Sequence, residues 1–315
     1  MELIRGLLDA STRAGVRLGG CAVAIGNFDG VHLGHQALVR AARAKAREFG
    51  LPSAVLTFEP LPREFFDRDA APPRLMRLTE KCEALAALEL DRLVVARFDA
   101  RLQRLRAPEF VAQVLANALG ARHVVVGEGF RFAVHREGTV ETLREGGVRH
   151  GFTVESVPAV VVDGERVSST RVRAALAHGN LALVRRLLGR DYRLSGRVIR
   201  GQQLGRRLGY ATANLRLHRR RLPLSGIYAV RVAGIEGAPR DGVASLGTRP
   251  TVNGVEPLLE THVFDFAGDL YGRRLHVDFV AKIRDEARFE TLDALVAQMH
   301  DDADRARRIL AARAA

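Results

Sequence analysis

Residues 21–36 read CAVAI followed by GNFDGVHLGHQ, and this stretch decides the fold of the first half of the chain. Five apolar residues ending at a glycine predict a strand buried on both faces. Gly26, Gly30 and Gly34 predict a tight turn. Beyond it Leu38, Ala41, Ala42 and Phe49 recur at helical spacing, so a helix follows. Buried strand, glycine turn and helix form the repeating unit of a parallel sheet with helices on both faces. In such sheets ligands bind outside the carboxyl ends of the strands, where His32 and His35 stand.

The same grammar continues outward. Apolar runs at 53–58 (SAVLTF), 92–98 (RLVVARF), 123–127 (HVVVG) and 152–157 (FTVESV) alternate with helical patterns such as TEKCEALAAL, PEFVAQVLANAL and VETLREGG. After two further helical patterns, TRVRAALAHG and NLALVRRLLG, the pattern changes near residue 190. Short alternating segments then follow, YRLSGRVIRG, GIYAVRVAG, DGVASLG, LETHVFDF and RRLHVDFVAKI, punctuated by glycine, proline and Asn-Gly turns. They predict an antiparallel barrel or sandwich. The closing stretch TLDALVAQMHDDADRARRIL predicts a helix carrying Leu292, Leu295, Val296 and Met299. Two domains are expected, 1–188 and 189–315.

Composition narrows the function classes. The chain of 315 residues is 47% hydrophobic and 27% charged, and has no apolar run long enough to span a membrane. The N-terminus lacks the apolar core of a secretory signal, and Cys21 and Cys82 read as reduced thiols, so a cytoplasmic protein is expected. The net charge of +13 is almost wholly arginine, since Lys45, Lys81 and Lys282 are the only lysines. With no tryptophan and 6% aromatic residues, the charge lacks the interleaved aromatics of a single-strand nucleic-acid binder. No nucleic-acid or membrane partner is expected, and the oligomeric state is left open. Without a Gly-Lys-Ser/Thr sequence, ATP chemistry of the Walker P-loop kind is excluded.

The histidine pair admits three readings: metal ligands, packed residues or phosphate donors. The remaining histidines of this half are scattered and complete no zinc set. A helix N-terminus behind a glycine turn favours an anion, and residues three apart share a face. Both imidazoles therefore reach one phosphate. Downstream, Ser168-Ser169-Thr170-Arg171 overlaps the start of RVRAAL, whose first residue is Arg171. It reads as a helix cap and equally as a pyrophosphate site.

GNFDGVHLGHQ, together with TFEPLPREFF, VVVGEGFRF and VSSTRVRAAL, resembles the FMN adenylyltransferase module of the bacterial bifunctional riboflavin kinase/FMN adenylyltransferase family. The resemblance implies a Rossmann-like nucleotidyltransferase domain, followed by a C-terminal riboflavin kinase barrel with a terminal helix. It implies that Gly26, Asn27, Phe28, Ser168, Ser169 and Thr170 bind ATP, and that His32, His35 and Arg171 act on its phosphates. GRVIRGQQLGRRLGYATANL (196–215) resembles the kinase nucleotide loop. There Gly201, Gly205, Arg206, Thr212 and Asn214 would bind ATP, and Thr212 and Asn214 would hold Mg²⁺. Glu260 takes the catalytic carboxylate position, and Arg284, Glu286 and Phe289 that of the flavin. The substrates and products implied are riboflavin, FMN, FAD and ATP.

The chain departs from the family pattern in places. Gly129 stands where the family carries Asn or Asp, Ala133 where it carries glycine, Leu61 within its Pro-His-Pro, and Tyr210 and Ala211 for Phe-Pro. Gly129 removes a hydrogen-bonding side chain, so the alternative is a riboflavin kinase with a weakened or redirected N-terminal module.

Overall fold

The computed structural model describes residues 1–6, 19–201, 210–251 and 254–313. The chain divides into two compact units, one formed by Met1–Pro72 and Met76–Ser168, the other by Pro73–Leu75 and Ser169–Ala315.

The first unit is a six-stranded sheet in the order β1-β4-β3-β2-β5-β6, with every pairing parallel. Its strands are β1 (Glu2–Arg5), β2 (Cys21–Ile25), β3 (Ser53–Glu59), β4 (Arg92–Arg97), β5 (Ala121–Gly127) and β6 (Thr153–Val157). The helices are α1 (Leu33–Glu48), α2 (Pro62–Phe66), α3 (Leu78–Ala86), α4 (Ala100–Arg104), α5 (Ala107–Glu109, running into a π-helical segment Phe110–Ala118) and α6 (Val140–His150). A short hairpin, β7 (Val161–Val162) and β8 (Glu165–Arg166), leads out of the sheet.

Strand alternation explains why CAVAI is wholly buried. Cys21, Val23 and Ile25 face one core with Leu56, Val94 and Val124, while Ala24 faces the other with Val55, Leu93 and Val125. Leu38, Val39 and Ala42 of α1 fill the second core. Phe49 does not belong to that face as expected. It caps the C-terminus of α1 and is 42% exposed. Strand β1 was not expected, because ELIR is too short to display a period. It becomes an edge strand by pairing with β4.

The second unit begins with α7 (Ser169–Ala177) and α8 (Leu181–Leu188) and closes with α9 (Leu292–Ala312). Between them lie β9 (Tyr192–Ile199), β10 (Thr212–Arg216), β11 (Gly226–Ala233), β12 (Arg240–Thr251), β13 (Gly254–Val263) and β14 (Arg274–Arg284). They close an antiparallel barrel in the order β10-β13-β12-β11-β14-β9. The expected choice of barrel or sandwich thus resolves to a barrel, which leaves no free sheet edge.

Two local expectations change. The stretch 196–215 reads as a loop, but Thr212–Arg216 is a strand paired with β9 and β13. Its period of two, with Ala213 and Leu215 inward, is obscured by the glycine–arginine run before it. In α9 the apolar residues buried against the barrel are Ala303, Ala306 and Leu310, and Leu292 is 53% exposed.

Candidate active sites

In the sheet unit the loop after β2 folds into a tightly specified turn. Phe28 and Val31 are fully buried and adopt φ 48° and 43°, a left-handed backbone that a β-branched valine rarely accepts. Strain of this kind persists only where neighbours over-determine it, and it concentrates at functional sites. The neighbours are present. The Asp29 carboxylate, 2% exposed, accepts the Met76 N–H at 3.0 Å, and the Asn27 carbonyl accepts from Thr57 and Lys81.

His32 is the N-cap of α1, and its Nδ1 accepts the His35 N–H at 3.3 Å. The two imidazoles stack with centroids 3.7 Å apart, and Phe28 lies 5.0 Å from His35. The pair is thus one rigid two-ring platform at a helix N-terminus, the end whose partial positive charge favours anions. Among the described residues no group of three or more His, Cys, Asp or Glu forms a metal cluster.

Val167 runs beside this turn. A Cβ placed on Gly34 would sit 3.7 Å from the Val167 carbonyl and 3.2 Å from the His32 ring. Ser168 follows directly and ends the sheet unit, while Ser169, Thr170 and Arg171 open α7 of the barrel unit. Gly26 is half-buried and Asn27 exposed at the mouth of the turn.

On the same edge of the sheet Phe58, Phe65, Phe66 and Phe98 form an aromatic cluster with edge-to-face contacts at 5.3–6.0 Å. Phe66 is 64% exposed. Sequence reading missed this cluster, since only REFF signalled it. The loop after β5 carries two of the departures noted above, Gly129 and Ala133. Gly129 is exposed, with φ +71° and open space where a side chain would go. Ala133 sits at φ 65°, ψ −175°, a region that glycine alone adopts freely.

In the barrel unit one cavity of about 310 Å³ gathers Thr212, Asn214, Glu260, Arg284, Glu286 and Phe289. Cross-strand register builds it. Asn214 of β10 pairs with Glu260 of β13, which pairs with Ser245 of β12, and Thr212, His262 and Val243 form the next row. Both rows face the same side, where Leu295 and Met299 of α9 complete the wall.

Arg284 is held by a bidentate pair to Asp302 of α9, 4% exposed, at 2.7–3.0 Å, and lies 5.7 Å from the Phe289 ring. Glu286 packs so closely on Gly247 that a Cβ there would come 2.0 Å from its carboxylate. Tyr210 donates or accepts a 2.5 Å hydrogen bond with His300, and burial raises its phenol above the usual range.

A cation would fit here. The Asn214 Oδ1 is buried and lacks a hydrogen-bond partner among the described residues. A Cβ on Gly201 would come within 2.7 Å of the same amide, so the glycine keeps this acceptor's surroundings clear. An oxygen donor set from Thr212 and Asn214 suits Mg²⁺, which keeps most of its shell for water and phosphate. Gly205 and Arg206, the other expected ATP contacts, lie outside the described residues.

Two family profiles divide the chain. FAD synthetase matches residues 16–171 and riboflavin kinase matches 188–310. A bifunctional riboflavin kinase/FMN adenylyltransferase of Haemophilus influenzae is 45% identical, covering 98% of both chains. The chain belongs to this family. A Pseudomonas fluorescens relative of the same description is 48% identical over 99% of this chain and 98% of its own.

A crystal structure from Streptococcus pneumoniae, described as a macrolide-efflux protein, matches with TM-score 0.81 and 31% identity over 98% of this chain and 99% of that one. It shares the fold of both units. Among the described residues of the present chain, no helix is long and apolar enough to cross a membrane.

Proposed function

We propose that the barrel unit phosphorylates riboflavin to FMN and that the sheet unit transfers AMP from ATP to FMN, yielding FAD and pyrophosphate. One observation carries this: each family match covers one grammar of the chain, FAD synthetase the parallel sheet and riboflavin kinase the barrel.

In the barrel Glu260 orients the ribityl 5′-hydroxyl and accepts its proton as that oxygen attacks the γ-phosphorus of ATP, with ADP leaving. Its cross-strand neighbour Asn214, with Thr212, would hold Mg²⁺, which supplies charge neutralisation to the ATP phosphates. Arg284, pinned by Asp302, and Phe289 form the wall against which the flavin packs.

In the sheet unit a phosphate oxygen of FMN attacks the α-phosphorus of ATP in line. The bond to the bridging oxygen of the β-phosphate breaks and pyrophosphate leaves. His32 and His35 donate to the charge that develops, Gly26 and Asn27 line the nucleotide with Phe28 buried beneath them, and Ser168, Ser169, Thr170 and Arg171 take the leaving phosphates. Exposed Phe65 and Phe66, packed on half-buried Phe98, form an apolar aromatic face, as an isoalloxazine requires. The free thiols Cys21 and Cys82 support a reducing, cytoplasmic setting, and burial pushes Cys21 up to about 12, leaving it inert.

Incubation with riboflavin, ATP and Mg²⁺, followed by chromatography of the flavins, tests this. FMN followed by FAD is expected. FMN alone favours the weakened module that Gly129 suggests, and neither product refutes both activities.

A further inference from the structure

The mechanism above leaves a deeply buried cation, Lys81, unused. Lys81 of α3 is 1% exposed, in a chain where only three of 49 basic residues are lysines. Its Nζ donates to the Asn27 carbonyl at 2.7 Å and to the Thr57 hydroxyl at 3.2 Å. The Thr57 hydroxyl, itself 0% exposed, donates to the same Asn27 carbonyl at 3.1 Å. A closed triangle of three hydrogen bonds thus lies beneath the turn that carries the histidines.

An ammonium is costly to bury, and the cost is tolerable only where its donors are satisfied in fixed geometry. A guanidinium is planar, wider and forked, so arginine cannot substitute as a compact point donor in this space. The atom being clamped matters. In a trans peptide the carbonyl and the following N–H point in opposite directions. Holding the Asn27 carbonyl inward therefore turns the Phe28 N–H the other way and fixes the start of the strained Phe28 backbone, φ 48°. Asn27 itself stays exposed while its carbonyl is anchored.

We propose that Lys81 is a positioning residue for adenylyl transfer, acting through the Asn27 carbonyl to hold the Gly26–Phe28 turn, and with it His32, in the geometry that receives the ATP phosphates. This rests on the assignment of adenylyl transfer to the His32 loop.

The test uses the full chain and measures kcat and KM for FAD formation from FMN and ATP. FMN formation from riboflavin serves as a control within the same molecule. Lys81→Met is expected to lower kcat for FAD formation about 10²-fold, the scale of a small misplacement of catalytic groups, with KM and FMN formation unchanged. Thr57→Val, which removes one neutral hydrogen bond to the same carbonyl, is expected to lower kcat about fivefold. The double variant should be no slower than Lys81→Met, because both act through one atom.

An unchanged kcat in Lys81→Met, a loss confined to KM, or effects that multiply would overturn the proposal. If Lys81→Met does not fold, Thr57→Val decides it: a lowered kcat supports the clamp and an unchanged one removes it. A parent chain that makes FMN but no detectable FAD, even with Gly129→Asn, would instead mean a redirected N-terminal module and remove the assignment of the loop, and the proposal with it.

Discussion

In the parallel sheet the histidine pair and the turn before it occupy one continuous stretch, Gly26 to His35, whereas in the barrel the candidate chemistry is assembled from three strands, the end of β14, a loop and a helix. The two designs locate rigidity differently. The sheet site relies on backbone: positive φ at Phe28 and Val31, a clamped carbonyl, and a helix capped by the candidate side chain His32. The barrel site relies on register, which sets Asn214, Glu260 and Ser245 in one row and Thr212, His262 and Val243 in the next. Cross-strand neighbours of this kind sit about 5 Å apart at Cβ, so a barrel can bring distant sequence positions together without strain.

If the two sites are independent, each must be removable alone. The largest effect is expected at Glu260→Gln, which keeps the row and its packing but loses the proposed base. FMN formation should fall about 10²–10⁴-fold while FAD formation from supplied FMN persists. Steady-state rates with each flavin separate the two. His32→Ala should do the reverse, lowering FAD formation about 10²–10³-fold and leaving FMN formation intact. If either variant lowered both steps equally, the comparison would break.

Two departures from the family pattern sharpen it. Gly129 has the left-handed φ that asparagine tolerates and open space at its Cβ. Gly129→Asn should therefore fit and raise the FAD-forming rate about tenfold, the worth of one well-placed hydrogen bond. No change in rate would show that the position does not limit the reaction. The smallest effect is expected in stability. Ala133→Gly relieves a conformation costing about 1–3 kcal/mol, offset by about 0.5–1 kcal/mol of glycine entropy. A rise of a few degrees in the thermal midpoint of the sheet unit is expected by calorimetry.

The same contrast explains what was legible in the amino-acid sequence. A contiguous motif such as GNFDGVHLGHQ shows its strand, turn and helix through local spacing alone, so that site could be read directly. The barrel residues carried chemistry only by resemblance, because neither Asn214 nor Glu260 displays its partner until register pairs them. Thr212–Arg216 looked like a loop because glycines and arginines precede it. Lys81 and Thr57 stayed hidden because what they hold is a main-chain oxygen, which no side-chain pattern reports. Their one trace was lysine itself, in a chain that uses arginine almost everywhere else.

The cap on α1 has a consequence for tautomers. The Nδ1 of His32 accepts the His35 N–H, so its lone pair is committed to the helix. A neutral imidazole carries its single proton on the other nitrogen, which makes Nε2 of His32 a donor by necessity. The helix thus chooses the protonation site of the residue proposed to face the phosphate. Asparagine at this position would still cap through its side-chain oxygen yet offer no ring N–H, separating a duty to the fold from the duty to the substrate proposed for the same imidazole.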